Sequence, residues 1–246
     1  MINAFVQSKS ILIVRMSSFL QSFVNMVYPI HCAGCKIPVA NQQELLCPEC
    51  RNELPITALS NDIENELAQL FWGRIDIAYT YALYHYSGSG LVQNLIQDLK
   101  YRNQTTVGDY FGEQLFLALD QFEWFRQIDC IVPVPLHPKK KKKRKYNQAE
   151  VIARPLSEKG KVPLITKALV RTSHTQTQTK LSYFERWKNV MKKFEVKEKT
   201  CILRKHVLII DDVITSGSTI EACAQKLLVA GASKISVATV GWARSV

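Results

Sequence analysis

The segment Val207–Thr219, VLIIDDVITSGST, brings together the residue types most able to do chemistry. Four apolar residues run into two adjacent carboxylates, Asp211 and Asp212. A loop of small polar residues follows (Thr215, Ser216, Gly217, Ser218 and Thr219), and a helical pattern extends from Thr219 to Ala230. An apolar run with no polar face fits a strand buried on both sides of a parallel sheet. Ligands of open α/β sheets bind beyond the carboxyl ends of such strands. Backbone N–H groups of a small-residue loop at a helix N-terminus hold a phosphate, helped by the helix dipole. Hydroxyl side chains add donors, and Gly217 lets the backbone approach without a Cβ. Two carboxylates at the strand end can accept hydrogen bonds from vicinal ribose hydroxyls or face a metal-bound pyrophosphate. The pattern predicts a ribose-5-phosphate and pyrophosphate site, with Asp211 and Asp212 as its catalytic acids. Other phosphate loops do not match: the chain has neither a Walker A motif nor a GxGxxG fingerprint after a strand. Too little chain follows Asp212 to complete a receiver domain. A capped helix after a buried strand would explain the hydroxyl at the cap, but not two acids beside the loop.

A second set of residues could hold a metal. Cys32, Cys35, Cys47 and Cys50 form C-x₂-C-x₁₁-C-x₂-C. Two-residue spacing lets both thiolates of a pair turn toward one tetrahedral Zn²⁺, and four sulfurs close the site, making it structural. A redox CxxC or two local disulfides are the alternatives. His31 adjoins the first pair. Cys130, Cys201 and Cys223 stand alone, and pairs plus singles suit a reducing compartment.

The elements that must position these residues follow from length and pattern. The chain has 246 residues, 47% hydrophobic and 22% charged, an ordinary globular composition that allows one domain and a small accessory module. Three blocks are expected: 1–57, an N-terminal helix and the cysteine module; 58–126, a connecting region of helices around a hairpin, with Tyr79–Tyr86 as β-prone chain and Ser87–Gly90 as turn; and 127–246, short apolar runs alternating with helices. In the last block, Asp129–Pro135 reads as a strand ending in prolines, Asn147–Lys159 as a helix and Ile235–Val240 as a final strand. Strands alternating with helices imply an α/β domain with a mainly parallel sheet. Residues 11–30 are apolar but interrupted by Arg15 and several polar residues, a poor spanning segment. No transmembrane segment is expected, and the reading is cytoplasmic, with the inner face of the membrane as a second location. Met16 is a second candidate start.

Charge is uneven. Lysine and arginine number 32 against 21 acids, and the run Lys139–Lys145, KKKKKRK, supplies seven of the formal +11. Such a block suits polyanions; a solvated loop is the plainer reading. Tyr101, Tyr146, Tyr183, Phe184 and Trp187 lie near basic residues and offer faces for base stacking.

The acid-and-loop segment resembles the signature of type I phosphoribosyltransferases: four apolar residues, two acids, then a T-T/S-G-x-T loop. Two further stretches narrow the resemblance. Ile131–Ala153, IVPVPLHPKKKKKRKYNQAEVIA, and Arg171–Phe194, RTSHTQTQTKLSYFERWKNVMKKF, are similar to the ComF/GntX-like family. Its ComFC group is associated with DNA uptake in naturally competent bacteria. Arg144, Tyr146, Asn147, Gln148 and Ala149 match the family's R-G-[FY]-N-Q-A, with Lys145 in place of its glycine. Thr175, Gln178, Leu181, Ser182, Arg186, Asn189, Val190 and Phe194 match its second pattern, and Leu99–Arg102 also fits.

The resemblance implies a type I phosphoribosyltransferase fold with a zinc-ribbon-like module, binding phosphoribosyl pyrophosphate (PRPP) with Mg²⁺. It implies that Leu136–Lys139 meet pyrophosphate, within a pyrophosphate or DNA loop that includes His137, Lys139, Arg144, Tyr146, Asn147 and Gln148. A mobile loop would carry Arg171, Thr175, Gln178, Arg186 and Asn189; a helix-surface pair is the other reading of Arg186 and Asn189. The implied setting is handling of single-stranded DNA in transformation, with a DNA-uptake translocase or helicase as partner. An active pentosyl transferase of unnamed acceptor and a PRPP-sensing adaptor are the alternatives.

Overall fold

The computed structural model describes residues 30–39, 44–59, 64–172 and 193–244. The expected N-terminal helix lies outside them, as do Thr175, Gln178, Arg186 and Asn189. Contacts divide the chain into two compact units, Met1–Glu53 and Leu54–Val246.

In the first unit, His31 and Pro38 form an antiparallel bridge, and Cys32 N–H donates to the Ile37 carbonyl at 2.8 Å. The reversal between them places Lys36 in the left-handed region, φ +65°. The second cysteine pair opens helix α1, Pro48–Asn52. Pro48 takes a first-turn position where its missing N–H costs nothing, and the Cys47 sulfur caps the turn by accepting from Cys50 N–H.

The second unit is built on a four-stranded parallel sheet. Strand β1, Tyr79–His85, leads through Ser87–Gly90 into helices α2, Leu91–Tyr101, and α3, Thr105–Leu119. Strand β2, Cys130–Pro133, is followed by α4, Pro138–Arg144, and α5, Gln148–Gly160. A small antiparallel pair, β3 Leu169–Arg171 with β4 Phe194–Val196, precedes β5, His206–Ile214, α6, Ser218–Val229, and β6, Lys234–Trp242. The sheet order is β1-β6-β5-β2. Its centre is β5, with Val207 opposite Cys130 on one side and Ile235 on the other. Val207, Leu208, Ile209 and Ile210 are all fully buried. Since successive strand residues face opposite ways, both faces of the sheet are covered. Val207 and Ile209 share a core cluster with Cys223, Ala224 and Leu227 of α6. On α5, Ile152 and Leu156 are fully buried, and the helix packs on β5 and against α3. Gly112 of α3 permits that close approach, because a Cβ there would stand 2.2 Å from the Ile152 carbonyl oxygen.

Three sequence expectations need correction. No hairpin forms at Ser87–Gly90. β1 pairs parallel with β6, and Leu91, Val92, Leu95, Ile96 and Leu99 continue the chain as a helix with one apolar face. The five inner residues of β1 are all buried, as a strand enclosed in a sheet requires. The lysine run is a short helix rather than a loop, started by Pro138 and capped by His137, whose Nδ1 accepts from Lys139 N–H at 3.2 Å. Finally, β5 continues through both acids to Ile214 instead of stopping before them.

Candidate functional site

At the carboxyl end of β5 the two acids meet different surroundings. Each is tied to the next peptide: Asp212 N–H donates to Asp211 Oδ1 at 2.8 Å, and Val213 N–H to Asp212 Oδ1 at 2.7 Å. Both are buried, Asp211 being 9% and Asp212 5% exposed. Asp211 lies on the side of Cys223. Burial, then the negative charge of Asp212, hold its carboxyl well above the ordinary value, while the Asp212 amide and Lys100 offset part of this. Burial and then the charge of Asp211 likewise push the Cys223 thiol up. Asp212 has its own counter-ion, with Lys100 Nζ of α2 at 2.8 Å from Oδ2.

The small-residue loop turns at Gly217, φ +73°, immediately before α6. Glycine is required there twice, by the left-handed backbone and by Phe71, whose ring would stand 3.0 Å from an added Cβ. Ser216 and Ser218 hydroxyls are 2.9 Å apart, and Thr215, Ser216 and Ser218 are exposed. Arg74 braces this loop from behind. Its Nη1 donates to the Ser216 carbonyl at 3.1 Å and to the Leu70 carbonyl at 2.7 Å, and its Nη2 pairs with Glu221 in the first turn of α6. A loop held this way keeps exposed hydroxyls and N–H groups at a helix N-terminus, an arrangement suited to an anion.

On the Asp212 side, α2 and the chain around α4 meet. Tyr146 donates its hydroxyl proton to the Leu99 carbonyl. Asn147 caps α5, accepting from Ala149 N–H at 3.3 Å and donating to the Val134 carbonyl at 2.9 Å. Arg144 donates to Gln148 Oε1 at 2.8 Å and lies over the Tyr101 ring, 5.1 Å from its centroid. Lys139 is exposed on α4. Arg171 ends β3, with its guanidinium 5.4 Å from the Phe194 ring centroid. The structure thus joins Arg144 and Tyr146 to α2, while Gln148 is held by Arg144, Asn147 caps α5 and His137 is engaged as a helix cap. Sequence reasoning missed two residues. Lys100 was within reach, because it lies in the Leu99–Arg102 stretch already matched. Arg74 left no local signal, being 147 residues from Glu221.

In the other unit the four cysteine sulfurs lie within 4.8 Å of one another. Cys35 and Cys47 Sγ are 3.7 Å apart. That is far beyond a disulfide bond and close to the edge of about 3.8 Å that a tetrahedron with Zn–S bonds of about 2.3 Å requires. Burial alone would push the Cys32 thiol up, but N–H groups of Cys47, Cys35 and Gly34 outweigh it and bring it down to about 6. Burial pushes Cys50 the other way. The cluster could hold a metal ion such as zinc.

A parallel sheet with flanking helices, two acids and a small-residue turn at one strand end fit a phosphoribosyltransferase-type domain. Comparison with known proteins agrees. The phosphoribosyl transferase domain family matches residues 146–244. Competence protein F of Haemophilus influenzae is 29% identical over 212 residues, 84% of this chain and 87% of that one. DNA utilization protein YhgH of Escherichia coli K12 is 31% identical over 146 residues, 58% of this chain and 63% of that one. YhgH of Salmonella typhimurium is 34% identical over 146 residues, with the same coverage of both chains. The solved structure of the allosteric regulatory enzyme of purine biosynthesis aligns over 56% of this chain and 25% of that one, with 20% identity and a TM-score of 0.38, a likeness too slight to bear on function. These likenesses support a ComF-like family of the phosphoribosyltransferase type for this chain.

Proposed function

We propose that the chain binds PRPP with Mg²⁺ at the carboxyl end of β5 and acts in the handling of incoming single-stranded DNA. The observation that carries the first half is the sequence of parts at one strand end: buried strand, two acids, a left-handed glycine with exposed hydroxyls, and a helix N-terminus. The ribose hydroxyls would meet Asp211 and Asp212, and the 5-phosphate would meet Thr215 to Thr219. Mg²⁺ bound with the ligand supplies positive charge for the pyrophosphate, beside a pair of acids where burial and mutual repulsion disfavour two negative charges. Lys100 is ion-paired with Asp212, and Arg74 keeps the phosphate loop in place. The residues fit the group. His137 and Lys139 belong to the pyrophosphate side of this reading, and Arg171, Thr175, Gln178, Arg186 and Asn189 to a segment closing over the site.

Support for the DNA half comes from the names of the relatives, a competence protein and DNA utilization proteins, and from the exposed basic helix α4. Lysines neutralising backbone phosphates give affinity that falls steeply with salt. The cysteine cluster is assigned a structural Zn²⁺, and a DNA translocase or helicase remains the partner in this reading. No helix among the described residues is long and apolar enough to cross a membrane.

Both halves are testable on the zinc-loaded full chain. Gly217→Ala should weaken PRPP–Mg²⁺ binding measured by calorimetry, because the turn can no longer keep φ +73° without strain. Wild-type protein that binds no PRPP would end the first half. Neutralising Lys139–Lys143 should lower both the affinity for an oligonucleotide and its dependence on salt; unchanged binding would end the second.

A further inference from the structure

A cleft of about 440 Å³ opens between the end of α2 and the basic helix. Its size falls within the range of small-ligand pockets, about 300–1,000 Å³. Lys140, Lys143, Arg144 and Lys145 line it together with Tyr101 and Tyr146, and Lys100 is part of its wall. Two features separate it from an ordinary charged surface. Tyr101 is 70% exposed at the lip of the cleft, with the Arg144 guanidinium over its ring. Lys100 is partly buried, and its Nζ is 2.8 Å from Asp212 Oδ2, so the cleft stands one side chain from the acid pair. Tyr146 is engaged through its hydroxyl with Leu99, which fixes the wall, and Tyr101 is the exposed ring at the lip.

We infer that this cleft binds a nucleotide, phosphate and base together, with the phosphate against Lys140, Lys143 and Lys145 and the base against Tyr101. The inference deepens the proposed function, resting on its reading that the chain handles DNA, and it names the place where one nucleotide of the strand is held beside the sugar-phosphate site. A simple anion would need the cations but not an exposed aromatic ring stacked under a guanidinium. A base alone would need the ring but not a wall of lysines. A nucleotide uses both, and stacking on an aromatic face tolerates every base. The nucleotide can arrive free or within a strand, and the two sources differ in how many phosphates reach α4 beyond the cleft.

The test is fluorescence anisotropy of full-length, zinc-loaded protein with a 5′-labelled oligo-dT, competed by dTMP, inorganic phosphate or polyphosphate. Tyr101→Ala should weaken oligo-dT binding about tenfold to a hundredfold, while PRPP–Mg²⁺ binding by calorimetry stays unchanged. Lys140→Gln with Lys143→Gln should lower the salt dependence by about 0.7 per cation removed. Competition by dTMP at concentrations where inorganic phosphate is silent places a single nucleotide in the cleft; displacement only by oligonucleotide shows that the strand is its source. Tyr101→Phe, which keeps the ring, should retain binding and controls for folding. The inference is overturned if Tyr101→Ala binds oligo-dT as wild type does, or if polyphosphate competes as well as oligo-dT. Wild-type protein that binds no oligo-dT would instead remove the DNA reading on which the inference rests.

Discussion

The cysteine cluster and the acid-and-loop site solve opposite problems. In the cluster, four sulfurs converge within 4.8 Å, so everything but the ion is supplied by neighbours along about twenty residues of chain. At the strand end the charges are already engaged: Lys100 with Asp212, Arg74 with Glu221 and the Ser216 carbonyl. Those partners come from α2 and from the chain before β1, far away in sequence. A closed ligand set favours a permanent occupant and stability. Charges held by exchangeable partners favour a ligand that comes and goes, because an entering anion or cation replaces interactions already made.

The largest effect expected from this contrast concerns the metal. Apparent zinc affinity of such cysteine sets is about 10–16 kcal/mol. One zinc per chain is therefore expected by atomic emission, lost in Cys47→Ser. Amide protection across residues 30–53 should collapse with it, while 54–246 keeps its cooperative unfolding. Zinc retained by Cys47→Ser would break the contrast.

Next in size is Arg74→Ala. Taking the guanidinium from a buried carboxylate costs about 3–5 kcal/mol, so a large drop in the urea midpoint is expected, along with weaker PRPP binding. A loss of stability with ligand affinity unchanged would show that Arg74 braces the fold and not the loop.

Asp211 gives a smaller effect of opposite sign. Burial and Asp212 raise its carboxyl above the unfolded value. Its contribution to stability is therefore present at low pH and is lost as pH rises through that raised value. Asp211→Asn should remove this dependence and raise the unfolding midpoint at pH 8, by about 2–4 °C for each kcal/mol of strain relieved. Its carboxamide oxygen can still accept from Asp212 N–H. A lower midpoint at pH 8 would contradict the electrostatic account.

Smallest is Lys145→Gly. Lys145 ends α4 with φ +70°, a conformation that costs an L-residue about 1–2 kcal/mol and glycine almost nothing. A gain of about 0.5–1 kcal/mol by urea denaturation is expected after glycine's own entropy cost.

That last position also shows what could and could not be read from the sequence. Where the family pattern R-G-[FY]-N-Q-A has glycine, Lys145 stands here, and its backbone is left-handed, φ +70°, a geometry that the sequence reading did not name. Local pattern located the start of β5 (though not its run through the acids), the small-residue loop before α6 and the cysteine spacing, since each depends on neighbours along the chain. His137-Pro138 was an available helix-start signal that the lysine run obscured. The partner of β1 was not legible, because an apolar run of strand-forming residues does not say whether its neighbour precedes or follows it, nor in which direction. Lys100 and Arg74 belong to the same class: their roles exist only once the sheet has brought distant segments to one edge.

The most direct test of the account is calorimetric titration of zinc-loaded protein with PRPP and Mg²⁺, wild type against Asp211→Asn/Asp212→Asn. The account predicts saturable one-to-one binding by the wild type and none by the double variant, which remains folded. Binding that survives both substitutions, or folded wild-type protein that takes up no PRPP, would contradict it.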